Sequence, residues 1–332
     1  MKILAINFGG IGDEIFFLPS LISLKKQFPN AKITLALEPR SKSVKDLTDV
    51  IDDLMLIDVK SKNKYLELLK LVYFARIGNF DLVISSGGNK LISILLMLTG
   101  IKKRYGYDTG KLSRILLTKA VPLNKNQYAC DMYHDLVSFL TDIKTELPEI
   151  NVEPQEKLEN SVLIHPGVSK MSTKKGMIKT ISPKVWSKII SMLLDKEKKV
   201  ILAGGPDDSD CIAEILAILG EKITHNNFVN MYGQTKSLKD LAVLIGKAEK
   251  FVCSDSAPLH VAVAMKTQTY PVFGPTDDRK LVPKSDLITP LKAKDNCPIK
   301  PCLWEHRQTT CESLDCLKIS AEDVVKILDA DT

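Results

Sequence analysis

The sequence predicts an α/β protein built as two halves, each a parallel sheet covered by helices. Short apolar runs alternate with helical stretches along nearly the whole chain, the pattern of a sheet buried on both faces. A polar, proline-bearing stretch, "KTELPEINVEPQEKLEN" (144–160), interrupts that rhythm once near the middle. The length, 332 residues, exceeds one ordinary core and suits two domains of about 150 residues each.

The elements follow in order. "MKILAINFGG" reads as a buried strand entering a glycine turn, and "DEIFFLPSLISLKKQF" as the helix after it. "AKITLALEP" is a second strand and "DDLMLID" a short third. "YLELLKLVYFARIG" reads as an amphipathic helix, followed by the strand "FDLVISSGG" and the apolar helix "KLISILLMLTG". "YACDMYHDLVSFLTDI" closes the half as a further helix. The expected N-terminal domain spans 1–147, the linker 148–160 and the C-terminal domain 161–332. In the second half, "SVLIHPG" is a strand, then come a lysine-rich loop and the helix "SPKVWSKIISMLLDKE". The strand "KKVILAGGP", the helix "DSDCIAEILAILG", a short piece around "FVNMYG" and the helix "SLKDLAVLIGKA" continue it. The stretch "FVCSDSAPLHVAVAM" (251–265) is strand, turn and helix, and "TYPVFGPTD" follows. Two Rossmann-like domains facing each other across a cleft are the expected architecture.

Composition excludes several classes. At 45% hydrophobic and 26% charged, either half can bury a core of its own. The net charge of +6 comes from basic residues read as spread along the chain, a solubility charge rather than a nucleic-acid footprint. The apolar start breaks at Asn7 before any signal-peptide core forms. "LISILLMLTG" (91–100) is far short of the ~20 residues of a membrane span. The expected location is the cytoplasm, with the seven cysteines as reduced thiols.

Five constellations can carry chemistry. "NFGGIGDEIF" (7–16) offers Gly10 and Gly12 in a glycine-rich turn, but Ile15 stands where a dinucleotide fingerprint needs its third glycine. A nicotinamide oxidoreductase is therefore disfavoured. Asp13 is either a helix cap or a carboxylate base at the carboxyl end of a strand. In "LIHPGVSKMSTKKGMIKTISPKVW" (163–186), His165, Gly167 and Ser169 end a strand and open a loop bearing Lys170, Lys174, Lys175, Lys179 and Lys184. Hydroxyl and ammonium donors on such a loop suit a diphosphate, and a solvated basic loop is the plainer alternative. His165 alone is more often a packing residue. "ILAGGPDDSD" (201–210) places Asp207 or Asp208 to accept from a ribose or base, or to cap the next helix.

In 251–265, Ser254, Asp255 and Ser256 lie on the turn. Pro258 suits the first helical position, which makes Ala257 the N-cap and leaves the 259–260 amides free for an anion. His260, at the third helical position, would add a donor; capping is again the alternative. Last, "CPIKPCLWEHRQTTCESLDC" spaces Cys297, Cys302, Cys311 and Cys316 as C-x4-C-x8-C-x4-C. A structural zinc is one reading, but the tight C-x2-C knuckle is absent, so buried or redox-linked thiols compete with it.

Taken in order, "GGIGDEIFFLPSL", "HPG" with "KTISPKVW", "LAGGPDD" and "SDSAPLHVAVAM…PVFGPTD" resemble glycosyltransferase family 9, the heptosyltransferase family. The tail "CLKISAEDVVKIL" is similar to the family's C-terminus, so the resemblance covers nearly the whole chain. It implies a GT-B fold, an N-terminal acceptor domain, a C-terminal nucleotide-sugar domain and catalysis in the cleft. It also implies inverting transfer of a sugar, typically heptose from ADP-heptose, to lipopolysaccharide inner core, without a required metal or other cofactor. Carried over, Asp13 matches the proposed base, and Asp255, Ser256 and His260 match donor-binding positions. Lys179 matches a diphosphate contact and Asp208 an acidic donor contact. The chain departs from the pattern at Ala257, commonly Gly, at Ile181, commonly Trp, and at Lys184, commonly an acid. Another nucleotide-sugar with a different glycan or glycolipid acceptor, or a non-catalytic nucleotide-sugar-binding relative, remain as alternatives. Lipid-linked acceptors would bring the protein into peripheral contact with the inner membrane. "IKKRYGY" (101–107) could then meet an acidic headgroup, although a solvated face is its plainer reading.

Overall fold

The computed structural model describes residues 1–330. It divides into two compact units, Met1–Asn151 and Val152–Thr332.

In the first unit, six parallel strands form a sheet in the order β3-β2-β1-β4-β5-β6. The elements are β1 (Lys2–Ile6), α1 (Ile11–Gln27), β2 (Lys32–Leu37), β3 (Asp53–Leu56), α2 (Lys64–Ile77), β4 (Leu82–Ser85), α3 (Lys90–Leu98), β5 (Lys103–Tyr107), α4 (Lys111–Leu116), β6 (Lys119–Val121) and α5 (Ala129–His134). Strand β1 is buried from Ile3 to Ile6, as a central parallel strand requires. Its neighbours β2 and β4 run in register with it, Ile6 opposite Ala36 and Ser85. One sheet face, through Leu4, Ile6 and Val83, packs on Leu71 and Ala75 of α2 and on Leu95 and Leu96 of α3. Helix α5 packs on α1.

Two expectations change here. The helix expected over "YACDMYHDLVSFLTDI" ends at His134, and the chain continues in tighter turns such as Val137 N–H to His134 carbonyl. Helix α2, expected to be amphipathic, buries only Leu71 and Ala75 fully, while Leu66, Leu69 and Tyr73 stand in solvent. Both of its faces are apolar.

The second unit repeats the topology. Its parallel sheet runs β12-β11-β10-β7-β8-β9. The elements are β7 (Leu158–His165), α6 (Lys170–Lys174), α7 (Pro183–Asp195), β8 (Lys199–Leu202), α8 (Ser209–Leu219), β9 (Phe228–Asn230), α9 (Leu238–Lys247), β10 (Ala248–Ser254), α10 (Ala257–Ala264), β11 (Gln268–Phe273), α11 (Asp278–Leu281), β12 (Leu291–Lys292) and α12 (Ala321–Ala330). Strand β7 begins inside the stretch expected to be linker, at Leu158. The loop expected between β7 and α7 holds the one-turn helix α6. Helix α7 starts cleanly because Ser182 caps Val185 N–H and Pro183 needs no amide partner at its first turn. The core gathers Trp186, Val252, Tyr270, Val324 and Leu328.

In each sheet the strand order reverses once, between β1 and β4 and between β7 and β10. Open α/β sheets place ligands outside the carboxyl ends of the strands at that point. No helix among the described residues is long and apolar enough to cross a membrane.

Candidate active site

At the switch point of the first unit, β1 runs out through Asn7 into Gly9-Gly10, and α1 begins at Ile11. Asn7 is tied on both sides: its Nδ2 donates to the Asp13 carbonyl at 3.2 Å, and Ser86, past β4, donates to its Oδ1 at 2.9 Å. Asp13 is neither the N-cap nor untethered. It sits at the third helical position, and its Oδ2 accepts the Gly10 N–H at 2.7 Å. That hydrogen bond satisfies one of the helix's orphan amides and fixes the rotamer. The residue is exposed. A Cβ on Gly9 would lie 2.3 Å from the Asp13 Cβ, so only glycine lets the strand approach the helix this closely.

Around Asp13 stand groups that the sequence reading did not single out. Glu14 is 1% exposed, and neither of its oxygens has a hydrogen bond of good geometry. Burial, then the Asp13 charge, pushes its pKa well above the ordinary carboxylate range. Glu38 is equally buried, and its Oε2 takes Arg40 Nε at 2.6 Å and Lys60 Nζ at 3.0 Å. The Arg40 guanidinium lies 3.8 Å from where a Gly10 Cβ would stand.

At the switch point of the second unit, β7 and β10 end side by side, His165 opposite Cys253. Their loops are stitched together. The Ser254 hydroxyl lies 2.7 Å from both the Pro166 carbonyl and Thr180 Oγ1, and Trp186 Nε1 donates to Thr180 at 3.0 Å. This brings Lys179 onto Asp255. The Lys179 ammonium donates to the Asp255 carbonyl at 2.6 Å and to its Oδ2 at 3.2 Å. Thr276 donates to the same Oδ2 at 2.8 Å, and the ring of Trp304 lies 5.3 Å from the ammonium. An ammonium has three N–H donors, so one remains for a ligand.

The helix start beside this cluster differs from expectation. Helix α10 begins at Ala257 with Ser256 as its N-cap, so Ala257 is the first helical residue, Pro258 the second and His260 the fourth. The Leu259 amide bonds the Ser256 carbonyl at 3.0 Å, which removes it from the set expected for an anion. Pro258 has no N–H, so the Ala257 amide, like that of the N-cap Ser256, is a donor for which the helix supplies no acceptor. Ala257 occupies helical backbone rather than the left-handed region, so its Cβ meets no conformational penalty. His260 is buried, and its pKa falls to about 4 because burial disfavours the imidazolium. At neutral pH it carries no charge.

A model of glycosyltransferase family 9 (heptosyltransferase) matches residues 70–310. The chain belongs to that family. Relatives and solved structures agree with it. Lipopolysaccharide heptosyltransferase 3 of Escherichia coli K12 is 26% identical over 292 residues, covering 80% of each chain. The structure of E. coli ADP-heptose lipopolysaccharide heptosyltransferase II has a TM-score of 0.75 at 19% identity, covering 99% of this chain and 98% of that one. The E. coli heptosyltransferase WaaC with ADP-2-deoxy-2-fluoro heptose has a TM-score of 0.74 at 15% identity and full coverage of both.

In this family 9 transferase the remaining sequence candidates are distributed unevenly. Gly10 gives its amide to Asp13 and cannot offer it to a phosphate; Gly12 lies in the first turn of α1. Ser169 is exposed at the start of α6. His165 and Asp208 are both buried, with Nε2 and Oδ2 3.7 Å apart. Burial lowers the His165 pKa and raises that of Asp208, so both tend toward their neutral forms. Asp208 Oδ2 also accepts the Gly205 amide at 2.7 Å. A Cβ on Gly167 would stand 1.7 Å from Asp208 Oδ1, so this carboxyl packs directly on the glycine of the His-Pro-Gly turn. The four tail cysteines are free thiols. Among the described residues no group of three or more His, Cys, Asp or Glu is placed to hold a metal ion, so the zinc reading finds no ligand set. Thr276 and Trp304 were legible only as neighbours of motifs: Thr276 lies in "PVFGPTD", and Trp304 between two of the cysteines.

Proposed function

We propose that this transferase moves a heptose from an ADP-linked donor onto a lipopolysaccharide core sugar, with inversion at the anomeric carbon and without a metal. The names and bound ligands of its relatives support the donor and the acceptor class. The first unit would take the acceptor and the second the nucleotide-sugar. The observation that carries the chemistry is Asp13, an exposed carboxylate whose Oδ2 is held on the Gly10 amide.

In this reading Asp13 accepts the proton of an acceptor hydroxyl as that oxygen attacks the anomeric carbon. The bond from that carbon to the diphosphate oxygen breaks, and its electron pair leaves with ADP. The departing charge meets the third N–H of Lys179, the Ser256 hydroxyl and the Ala257 amide at the positive end of α10. Asp255 and Thr276 act as positioning residues, because they hold the ammonium from the far side. Stabilising the leaving group is the larger contribution, since charge develops there and fixed donors need no reorganisation. His260, neutral and buried, lends shape and at most one N–H. Asp208 serves the fold of the His-Pro-Gly turn, not the donor. The reaction is assigned to the cytoplasm, with small-molecule and glycan substrates and no nucleic acid.

A screen of nucleotide-sugars with lipopolysaccharide fragments, scored by diphosphate release, tests the reading. ADP-heptose should turn over only when a core acceptor is present. Turnover with a different nucleotide-sugar and none with ADP-heptose would overturn the donor assignment.

A further inference from the structure

Helix α2 presents an apolar stripe to solvent. Tyr65, Leu66, Leu69, Tyr73 and Ile77 recur at helical spacing on its outer side, and Leu69 is 61% exposed. Its inner side, through Leu71 and Ala75, already fills the core. A helix apolar on both sides is ordinarily buried on both. Helices α3 and α4 continue the field with Leu91 and Leu98, then Leu112 and Ile115, the last 77% exposed. The α2 and α3 ends are joined, Arg76 Nε donating to the Leu98 carbonyl at 2.9 Å, and α3 packs on α4.

Charge is concentrated on the same segment. Residues 60–116 hold eleven Lys and Arg against three Asp and Glu, a surplus of eight. The whole chain carries +6, so everything outside this segment is net negative by two. The basic residues are therefore not evenly spread, contrary to the sequence reading. Two of the three acids are engaged locally, Glu67 with Lys70 and Asp108 with Arg114. Lys62, Lys64, Lys90, Lys102, Lys103 and Lys111 are exposed and take part in no ion pair among the described residues. Lys62, Lys64, Lys90 and Lys111 stand at the starts of the three helices, and Lys102 and Lys103 follow the end of α3. An apolar field is thus framed by lysines at both ends.

We propose that the α2-α3-α4 face docks on an anionic lipid surface. Leucine and tyrosine side chains enter the boundary between headgroups and acyl chains, while the framing lysines reach the headgroup phosphates. A second copy of this chain suits the face poorly. Two-fold pairing would set the same unpaired lysines against each other at the rim. The segment 101–107 then belongs to the docking surface, not to a merely solvated face. Binding to lipid needs no sugar or nucleotide, so the inference stands apart from the donor assignment.

The test is flotation of the full chain, without substrate, on vesicles of phosphatidylcholine alone or with 30 mol% phosphatidylglycerol. Binding should require the anionic lipid and weaken severalfold between 0.1 and 0.5 M NaCl. Lys102→Glu/Lys103→Glu should weaken it by about 25-fold or more, from roughly fivefold per lysine. Leu66→Ser/Leu69→Ser/Tyr73→Ser should weaken it by about tenfold or more, with far-UV CD and Tm reporting that both variants fold. Absence of vesicle binding, or binding that neither variant changes, overturns the proposal. So does a dimer in light scattering that the α2 variant dissociates while vesicles go unbound, which would assign the face to a second copy.

Discussion

Asp13 is both a cap and the proposed base, and the two roles separate under substitution. In Asp13→Asn the amide oxygen can still accept the Gly10 N–H now held at 2.7 Å, so helix α1 keeps its start. What disappears is the ability to take a proton at neutral pH. Loss of a general base lowers turnover by about 10²–10⁴-fold, or about 3–5 kcal/mol of barrier. Asp13→Ala removes the cap as well, which costs about 1 kcal/mol and lowers Tm by roughly 2–4 °C in a unit of this size. The assay is steady-state ADP release for both variants, with nucleotide affinity by calorimetry and Tm by differential scanning calorimetry. Asn should lose kcat with Kd for ADP within about twofold and Tm within a degree of the parent. Ala should lose the same kcat and the extra stability. Should Asn retain kcat, the proton goes elsewhere; should Asn and Ala lose stability alike, Asp13 is chiefly structural.

Three further outcomes follow from the geometry. Glu14 has a raised pKa, so its proton stays bound in the folded state and is lost from the unfolded chain near pH 4.5. Its contribution is therefore fullest below that pH and declines as pH rises toward the raised value, so Glu14→Leu should stabilise by about 1–3 kcal/mol at pH 8 and by less at pH 4.5; urea titrations that find it destabilising at pH 8 would refute this. Gly167→Ala puts a Cβ 1.7 Å from Asp208 Oδ1, so the carboxyl that holds the Gly205 N–H must shift. It should cost about 2–4 kcal/mol in chemical denaturation, and Asp208→Ala in the same chain should recover part of it, whereas a strictly additive double mutant would show that no clash existed. Lys179→Ala takes the ammonium from Asp255, which is 2% exposed and keeps the Thr276 hydrogen bond. It should cost about 3–5 kcal/mol and raise Kd for ADP at least tenfold, and an unchanged Kd would remove Lys179 from the leaving-group site.

Much of this was legible in the sequence because buried parallel strands are written as short apolar runs. "KILAI" and "KFVCS" are unambiguous, and both end at switch points where the site residues cluster. The strand β5 was not legible. Its sequence, "KRYGY", carries two cations and a glycine, and its burial comes from neighbours on either side rather than from its own pattern. The start of α10 was misplaced by one residue, because Pro258 is tolerated at either of the first two helical positions and only the Ser256 backbone decides between them. Periodicity also failed at α2. An apolar residue counts the same toward a pattern whether it faces core or solvent, and only the sheet behind the helix tells which side is which.

The two halves use one local device for different ends, and the contrast sharpens the assignment of the base. Gly9-Gly10 is followed by Asp13, and Gly204-Gly205 by Asp208; each carboxylate accepts the amide of the second glycine at 2.7 Å. Capping geometry therefore does not distinguish them. Position does. Asp13 follows β1, the strand at the switch point, and is exposed, whereas Asp208 follows β8, one strand away, and lies under Gly167 beside His165. A group that must receive a proton from a substrate needs an oxygen the substrate can reach. Asp208→Asn should accordingly leave kcat and donor KM within about threefold of the parent. It should also cost about 1 kcal/mol through a misfitted amide against His165. A donor KM raised tenfold at unchanged Tm would mean that the second carboxylate touches the nucleotide-sugar after all, and that a cap buried in this structure opens when the donor binds.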